Sequence, residues 1–267
     1  MINLIAELSM NHGGDLDLAK RMIEAAAKSG ANYVKFQTWK IEHLKPGPWD
    51  EDGRRELYIQ AELEEHDYPI LKQCCKDNGV KFLTSCFDER DLQFIRLLTD
   101  EVKIPSPEMT DSFVGTASWI FDTVLASTGC CQSDAELKAI LSHYKNVVLL
   151  HSVPLYPCPY DKVNLIRLAR IRKFSWENSH GRPFGYSGHA EGIWDAIGAL
   201  SLGATYIEKH FTIDKNLPFR DNKFAILPGE MKQIREYADN IELMAIDTFS
   251  KEAEEVCQRY AGRWQGP

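Results

Sequence analysis

The sequence has no long hydrophobic run and no excess of positive charge. None of its 267 residues belongs to a stretch of the 18 or more apolar residues that a membrane-spanning helix needs. Acidic residues outnumber basic ones by 39 to 31, and the formal net charge of −8 argues against the basic surface that nucleic-acid binding requires. We therefore expect a protein that binds neither membranes nor nucleic acids.

Two common binding motifs are missing, and so is a secretory leader. The seven cysteines contain no CxxC pair, which argues against a zinc or thioredoxin-like centre. No GxGxxG follows the first predicted strand, so a dinucleotide fingerprint is absent. The N-terminus has no basic region and reaches Glu7 too early for a signal peptide. The simplest interpretation is a cytoplasmic protein with reduced thiols.

Short apolar runs alternate with helical periodicity along the chain. Eight runs are predicted to be strands: 2–8, 32–38, 81–85, 101–106, 123–128, 146–152, 183–188 and 205–211. Helices are predicted over 15–30, 64–78, 88–98, 133–143, 161–174 and 191–202, and from Pro228 onwards. This alternation predicts a (β/α)8 barrel forming one domain over residues 1–267, with an open, doubly wound sheet as the alternative.

Two segments do not fit the alternation. Residues 108–122 show no clear element. Residues 39–60 form a long polar connection with two prolines, and a connection of this length in a compact domain is usually a functional loop or disordered.

Charged and hydroxyl side chains collect where the predicted strands end, which is where a barrel of this kind places its chemistry. Lys35 and Lys103 lie in otherwise apolar strands, and Lys35 shares a face with Gln37 because alternate residues of a strand point the same way. Serines end several of the neighbouring strands. Lysine supplies charge and hydroxyls supply directional donors, so this set predicts a phosphate or phosphate–carboxylate ligand.

Two histidines follow adjacent strands, the seventh and the eighth. His189 and His210 can therefore face one another, and a pair of neutral imidazoles suits a divalent transition metal. Taken one at a time, a histidine at such a position more often has a capping or packing role.

The motifs taken together resemble one family, the sialic acid synthases or NeuB family. The resemblance covers about residues 2–245 and rests on "IAELSMNHGGDLDLAKRMIEAAAKSGANYVKFQTWK", "FLTSCFD", "VKIPS", "LASTG", "LLHSVPLYPCPYDKVNL", "GYSGHAEGI" and "GATYIEKHFTIDKNLPFRDNK", in that order. It implies a barrel enzyme that condenses phosphoenolpyruvate with an amino-sugar aldehyde to a 3-deoxy-2-keto acid and releases phosphate. It also implies a divalent metal, with Mn²⁺ expected and Mg²⁺ or Co²⁺ as alternatives.

The resemblance assigns roles to thirteen residues. The metal ligands would be His189 and His210. Phosphoenolpyruvate would contact Lys35, Ser85, Lys103, Ser106, Ser127 and Ser187. The sugar side would be formed by Glu7, Gln37, Tyr156 and Asp221, with Glu108 as an acid–base beside the reacting carbons. Of these, Glu108, Glu7 and Lys103 are the expected catalytic residues.

The sequence departs from the family pattern in several places, among them Pro154, where asparagine or serine is common, and Cys130, where methionine is usual. Gly188 stands where the family usually has aspartate, and "PFRDN" at 218–222 replaces "PGPDH". Members usually continue into a small antifreeze-like domain that supplies an arginine to the partner's sugar site, and this sequence ends at Pro267 without it. We therefore expect Arg220 or the 39–60 connection to complete the sugar side.

Several questions stay open at this point. The aldehyde is not identified: N-acetylmannosamine, its 6-phosphate and diamino hexoses all fit, and a homo-oligomer remains open. The alternatives to a synthase are a metal-dependent aldolase acting on a related keto acid and a non-catalytic ligand-binding homologue.

Overall fold

The computed structural model describes residues 1–131, 133–179, 181–245 and 250–261. Its eight parallel strands close into a barrel in which each strand pairs with the next and β8 pairs with β1. The strands are β1 Asn3–Glu7, β2 Tyr33–Thr38, β3 Lys81–Cys86, β4 Glu101–Ile104, β5 Thr123–Ser127, β6 Val147–Ser152, β7 Gly185–Gly188 and β8 Tyr206–His210. The predicted (β/α)8 barrel is confirmed, and the open sheet is excluded.

The described residues form ten α-helices. They are α1 Leu16–Lys28, α2 Arg54–Ala61, α3 Asp67–Asp77, α4 Leu92–Leu98, α5 Asp111–Ile120, α6 Asp134–His143, α7 Leu165–Ser179, α8 Trp194–Ser201, α9 Pro228–Met244 and α10 Lys251–Tyr260. The side chain of Asp15 caps α1 by accepting from the backbone N–H groups of Asp17 and Leu18. None of the helices in the described part of the chain combines the length and apolar character needed to cross a membrane.

The two irregular segments contain more structure than their sequences indicate. The 39–60 connection holds two short 3-10 turns, Ile41–His43 and Pro48–Asp50, and then enters α2. Residues 108–122 contain α5, which Thr110 caps by accepting from the N–H of Phe113. Neither segment is an unstructured loop, and the first is placed over the carboxyl ends of the strands.

The barrel interior is apolar at one end and charged at the other. Towards the start of the strands it is filled by Ile5, Tyr33, Leu83, Leu125, Val148 and Leu150, with Tyr206 packed against them. Charged residues lie above this layer, where the register places Glu7 beside Lys35 and also beside His210, and Ser187 beside Glu208. The apolar layer seals the barrel beneath the charged one, so the charged residues are shielded from water on that side.

Candidate active site

A cavity of about 1030 Å³ opens at the carboxyl ends of the strands. All thirteen residues assigned from the sequence line it: Glu7, Lys35, Gln37, Ser85, Lys103, Ser106, Glu108, Ser127, Tyr156, Ser187, His189, His210 and Asp221. The fold therefore brings the whole predicted set together, although their roles remain predictions.

The floor of the cavity is a buried network of two lysines and two glutamates. Lys103 Nζ lies 3.0 and 2.9 Å from the carboxylate oxygens of Glu208, and Ser187 donates to the same carboxylate at 2.9 Å. Lys35 Nζ lies 2.6 Å from Glu7 Oε2 and 3.7 Å from Glu208 Oε1. Glu208 thus stands between both lysines.

Sequence reasoning gave Glu208 no role, although a signal for it was present. Glu208 and His210 alternate on β8, the same spacing that paired Lys35 with Gln37 on β2. Neither buried lysine depends on an external anion, because Glu208 supplies a carboxylate to both from within the chain.

The two glutamates differ in protonation. Burial raises the pKa of Glu7 to about 7, and the attraction of Lys35 only partly offsets that effect. Burial acts on Glu208 in the same direction, but Lys103 and Lys35 outweigh it and lower its pKa to about 2. When Glu7 holds its proton, the network carries two positive charges against one negative charge. It then has an excess positive charge that faces the cavity.

The two histidines lie side by side at the rim of this network. Their ring centroids are 5.4 Å apart, and the ring of Tyr156 lies 4.1 Å from that of His189. Burial lowers the pKa of both imidazoles to about 3, so both are neutral and keep a lone pair for a ligand. His189 Nδ1 lies 2.7 Å from the carbonyl oxygen of Val153. Because a carbonyl oxygen only accepts hydrogen bonds, the proton of the ring is on Nδ1, and the lone pair of Nε2 is available to coordinate a metal.

The donor set fits a divalent cation held by few protein ligands. Within the described residues, no three histidine, cysteine or acidic side chains converge as a closed metal site. Two neutral imidazoles facing a cavity leave room for water or substrate oxygens, which is the open arrangement of a catalytic site. Asp221 adds a carboxylate nearby, with Oδ2 3.5 Å from His210 Nδ1. The metal itself, and Mn²⁺ in particular, stays a prediction.

The outer wall of the cavity comes from the 39–60 connection. Its lining residues are Trp39, Lys40, Ile41, His43, Leu44, Lys45, Trp49, Arg54, Leu57 and Tyr58. Arg220 lines the cavity from the turn after β8, and Glu108 lines it from the turn after β4. Burial raises the pKa of Glu108, so its carboxyl group takes up a proton more readily than an exposed glutamate does. Both candidates for completing the sugar side, Arg220 and the connection, are therefore at the site.

Gly188, where the sequence lacks the family's aspartate, lies against a carboxylate from another element. A Cβ at Gly188 would lie 2.4 Å from Asp195 Oδ2 and 2.5 Å from Cε1 of Tyr186. Asp195, on α8, pairs with buried Lys209 at 2.9 Å and accepts from the hydroxyl of Tyr186 at 3.0 Å. The carboxylate of Asp195 thus occupies the space that a side chain at position 188 would need.

Comparison with known proteins decides the family. The model of the NeuB family matches residues 22–249, which is most of the chain. The chain belongs to the NeuB family. Among its relatives, the N,N'-diacetyllegionaminic acid synthase of Legionella pneumophila is 34% identical over 252 residues, covering 86% of this chain and 69% of that protein. The pseudaminic acid synthase of Campylobacter jejuni is 31% identical and covers 86% of this chain and 70% of its own length.

A solved NeuB-type structure supports the same assignment. The N-acetylneuraminic acid (sialic acid) synthetase of Leptospira borgpetersenii superposes with a TM-score of 0.84 and 28% identity, covering 99% of this chain and 93% of that one. The resemblance inferred from the motifs is confirmed. The chain is an enzyme of the sialic acid synthase type.

Proposed function

We propose that this NeuB-family enzyme condenses phosphoenolpyruvate with a sugar aldehyde, forming a 3-deoxy-2-keto acid and releasing phosphate. The observation that carries the proposal is the single cavity in which a buried lysine–glutamate network adjoins two neutral, lone-pair-bearing histidines. A cationic floor suits the anionic substrate, and the histidine pair suits a metal beside the aldehyde.

The floor of the cavity would hold phosphoenolpyruvate. Lys35 and Lys103 supply charge to its phosphate and carboxylate, and both are almost fully buried, so little water screens them. The buried hydroxyls of Ser85 and Ser127 add directional donors, and Ser187, which donates to Glu208, holds that carboxylate beside the lysines. A protonated Glu7 would leave the excess positive charge that favours an incoming anion. The same lysines would stabilise the departing phosphate.

The histidine side of the cavity would bind the aldehyde. His189 and His210 would hold a divalent cation, with Mn²⁺ expected, which supplies Lewis-acid polarisation of a carbonyl oxygen. Tyr156 and Asp221 flank this pair and would orient the hydroxyl or amide groups of the sugar. Gln37, which donates to Glu7 at 2.8 Å, would fix that carboxyl group between the two halves of the site.

Glu108 would act as the acid–base group for the water molecule that completes the reaction. Attack by C3 of phosphoenolpyruvate on the aldehyde leaves positive charge at C2, where water adds. A carboxylate at the cavity wall can stabilise that charge and accept the proton of the water. The raised pKa of Glu108 makes its carboxylate a better proton acceptor than an exposed glutamate.

Phosphate release from phosphoenolpyruvate tests the proposal directly. The purified enzyme with Mn²⁺ should release phosphate only when a suitable aldehyde is present, and N-acetylmannosamine, its 6-phosphate and diacetylated diamino hexoses form the first panel. Pyruvate release from a nonulosonic acid without phosphate would instead indicate an aldolase, and binding without turnover a non-catalytic homologue. A cytoplasmic location, in keeping with seven free cysteines, belongs to the same proposal, and a homo-oligomer stays open.

A further inference from the structure

Ser9 adopts a backbone conformation that serine rarely adopts. Its φ of 48° lies in the left-handed region, where the Cβ of an L-residue is crowded and glycine is preferred. In the described part of the chain, only Asn164 among the other non-glycine residues has a positive φ. Ser9 is 3% exposed, lines the cavity and follows β1 directly after Glu7 and Leu8. A strained residue at such a place points to a function for its side chain.

The hydroxyl of Ser9 is hydrogen-bonded to Asp221. Ser9 Oγ donates to Asp221 Oδ2 at 2.7 Å, across 212 positions of sequence. The same oxygen, Oδ2, lies 3.5 Å from Nδ1 of His210, near enough for electrostatic attraction although the two atoms form no hydrogen bond. Ser9 and His210 therefore converge on one carboxylate oxygen.

Ser9 lies in the loop after β1 and Asp221 in the turn after β8. The need to join these two segments does not explain the strained backbone of Ser9, because other hydrogen bonds already join them. Asn11 Nδ2 donates to the carbonyl oxygen of Phe211 at 2.9 Å, and Asn222 Nδ2 donates to the carbonyl oxygen of Asn11 at 3.4 Å. A glycine at position 9 would keep both of these bonds and avoid the strain. What glycine would lose is the hydrogen bond that fixes Asp221.

We propose that Ser9 is a positioning residue that acts through Asp221 on His210. With Oδ2 held by the Ser9 hydroxyl, the Asp221 carboxylate faces Nδ1 of His210 and favours the tautomer protonated there. That tautomer leaves Nε2 as the donor atom for a cation, matching His189, whose Nδ1 faces the carbonyl oxygen of Val153. The inference rests on the proposed role of His210 as a metal ligand.

Two variants separate the hydroxyl from the strain. Ser9→Gly removes both, whereas Ser9→Ala removes the hydroxyl and keeps the Cβ. We expect both to bind Mn²⁺ about tenfold more weakly by calorimetry, the lower end of the loss usual for groups that orient a metal ligand. Ser9→Gly should melt at or above the wild-type temperature and Ser9→Ala below it. Asn164→Gly is the matched control, because it relieves a positive φ of 54° outside the cavity. It should leave Mn²⁺ affinity unchanged.

The second readout needs no metal. Nitrogen NMR of the histidine side chains in the metal-free protein should show that the His210 tautomer protonated at Nδ1 is less populated in Ser9→Gly and Ser9→Ala than in the wild type. An unchanged tautomer in both variants would overturn the inference, as would wild-type Mn²⁺ affinity in both. If the wild type binds no Mn²⁺, the proposed metal site fails, and the tautomer measurement alone then decides the role of Ser9.

Discussion

Glu208 is predicted to hold two buried ammonium groups in place, and Glu208→Gln tests this with little change in shape. The carboxylate lies 2.9 and 3.0 Å from Lys103 Nζ and 3.7 Å from Lys35 Nζ, and its side chain is 6% exposed. An amide cannot neutralise either lysine, and its NH₂ group would face an ammonium. Removing one partner of a buried ion pair costs about 3–5 kcal/mol. For a domain of this size, that corresponds to a melting temperature lowered by roughly 6–20 °C.

An added anion should reverse part of this loss. Lys35 and Lys103 both line the open cavity, so phosphate can reach them in the variant and take the place of the missing carboxylate. An anion that binds only the folded state stabilises it by about 2.7 kcal/mol at a hundred times its Kd. Thermal scans over a phosphate series, with ionic strength held constant by chloride, should therefore show a larger gain for Glu208→Gln than for the wild type.

Asp195→Asn provides the matched control. It breaks a buried pair of similar geometry, with Lys209 Nζ 2.9 Å from Asp195 Oδ2, but neither residue lines the cavity. Its melting temperature should fall by a similar amount, and phosphate should stabilise it no more than the wild type. The reasoning fails if Glu208→Gln melts within a degree or so of the wild type, or if phosphate rescues both variants equally.

Three further predictions concern the pH dependence, the metal and the aldehyde. Because burial raises the pKa of Glu7 from 4.5 to about 7, its proton stabilises the fold fully below pH 4.5, and this contribution is lost as the pH rises towards 7. Denaturant titrations of the wild type and of Glu7→Gln between pH 4.5 and 7 test this. The free energy of unfolding of the wild type should fall by roughly 3 kcal/mol relative to that of the variant, and an equal pH dependence in both proteins would refute the prediction. His189→Ala and His210→Ala should each abolish Mn²⁺ binding in calorimetry with an unchanged circular dichroism spectrum; retained binding in either removes that residue from the ligand set. Arg220→Ala should raise the KM for the aldehyde and leave that for phosphoenolpyruvate unchanged; if it is silent while trimming of the 39–60 connection raises that KM, the connection completes the sugar side.

The sequence predicted the barrel well because its signal is local. Each apolar run and each amphipathic helix can be recognised within a dozen residues, and eight repeats of the pair leave few alternative architectures. The segments that were missed lack that signal. Helix α2 contains Arg54, Arg55 and Glu56 in its first turn, and its only buried residue is Ala61, so no apolar face marks it. Helix α5 follows a 3-10 turn and contains Gly115, which weakens its helical pattern.

Site residues were predicted where their type and their position on a strand are enough to recognise them. They were missed where the role depends on a partner that is distant in sequence. Strand ends identify Lys35, His189 and His210 as cavity residues without any knowledge of their neighbours. The alternation with His210 could have placed Glu208 in the cavity, but its role depends on Lys103, which lies 105 positions away and meets it only in the closed barrel. Ser9 gives no signal at all, since serine does not indicate a positive φ and Asp221 is 212 positions distant.

The shared space between Gly188 and Asp195 also restricts how this barrel can change during evolution. Aspartate at position 188 in the present background would crowd a second carboxylate against Asp195, whose Oδ2 lies 2.4 Å from the added Cβ. Loss of Asp195 alone would leave Lys209 buried without an anion. Each single substitution is unfavourable, whereas a double substitution that moves the acid from position 195 to position 188 again provides one carboxylate for one lysine. We therefore expect reciprocal sign epistasis between the two positions, with NeuB-family sequences carrying the acid at one of them and not at both.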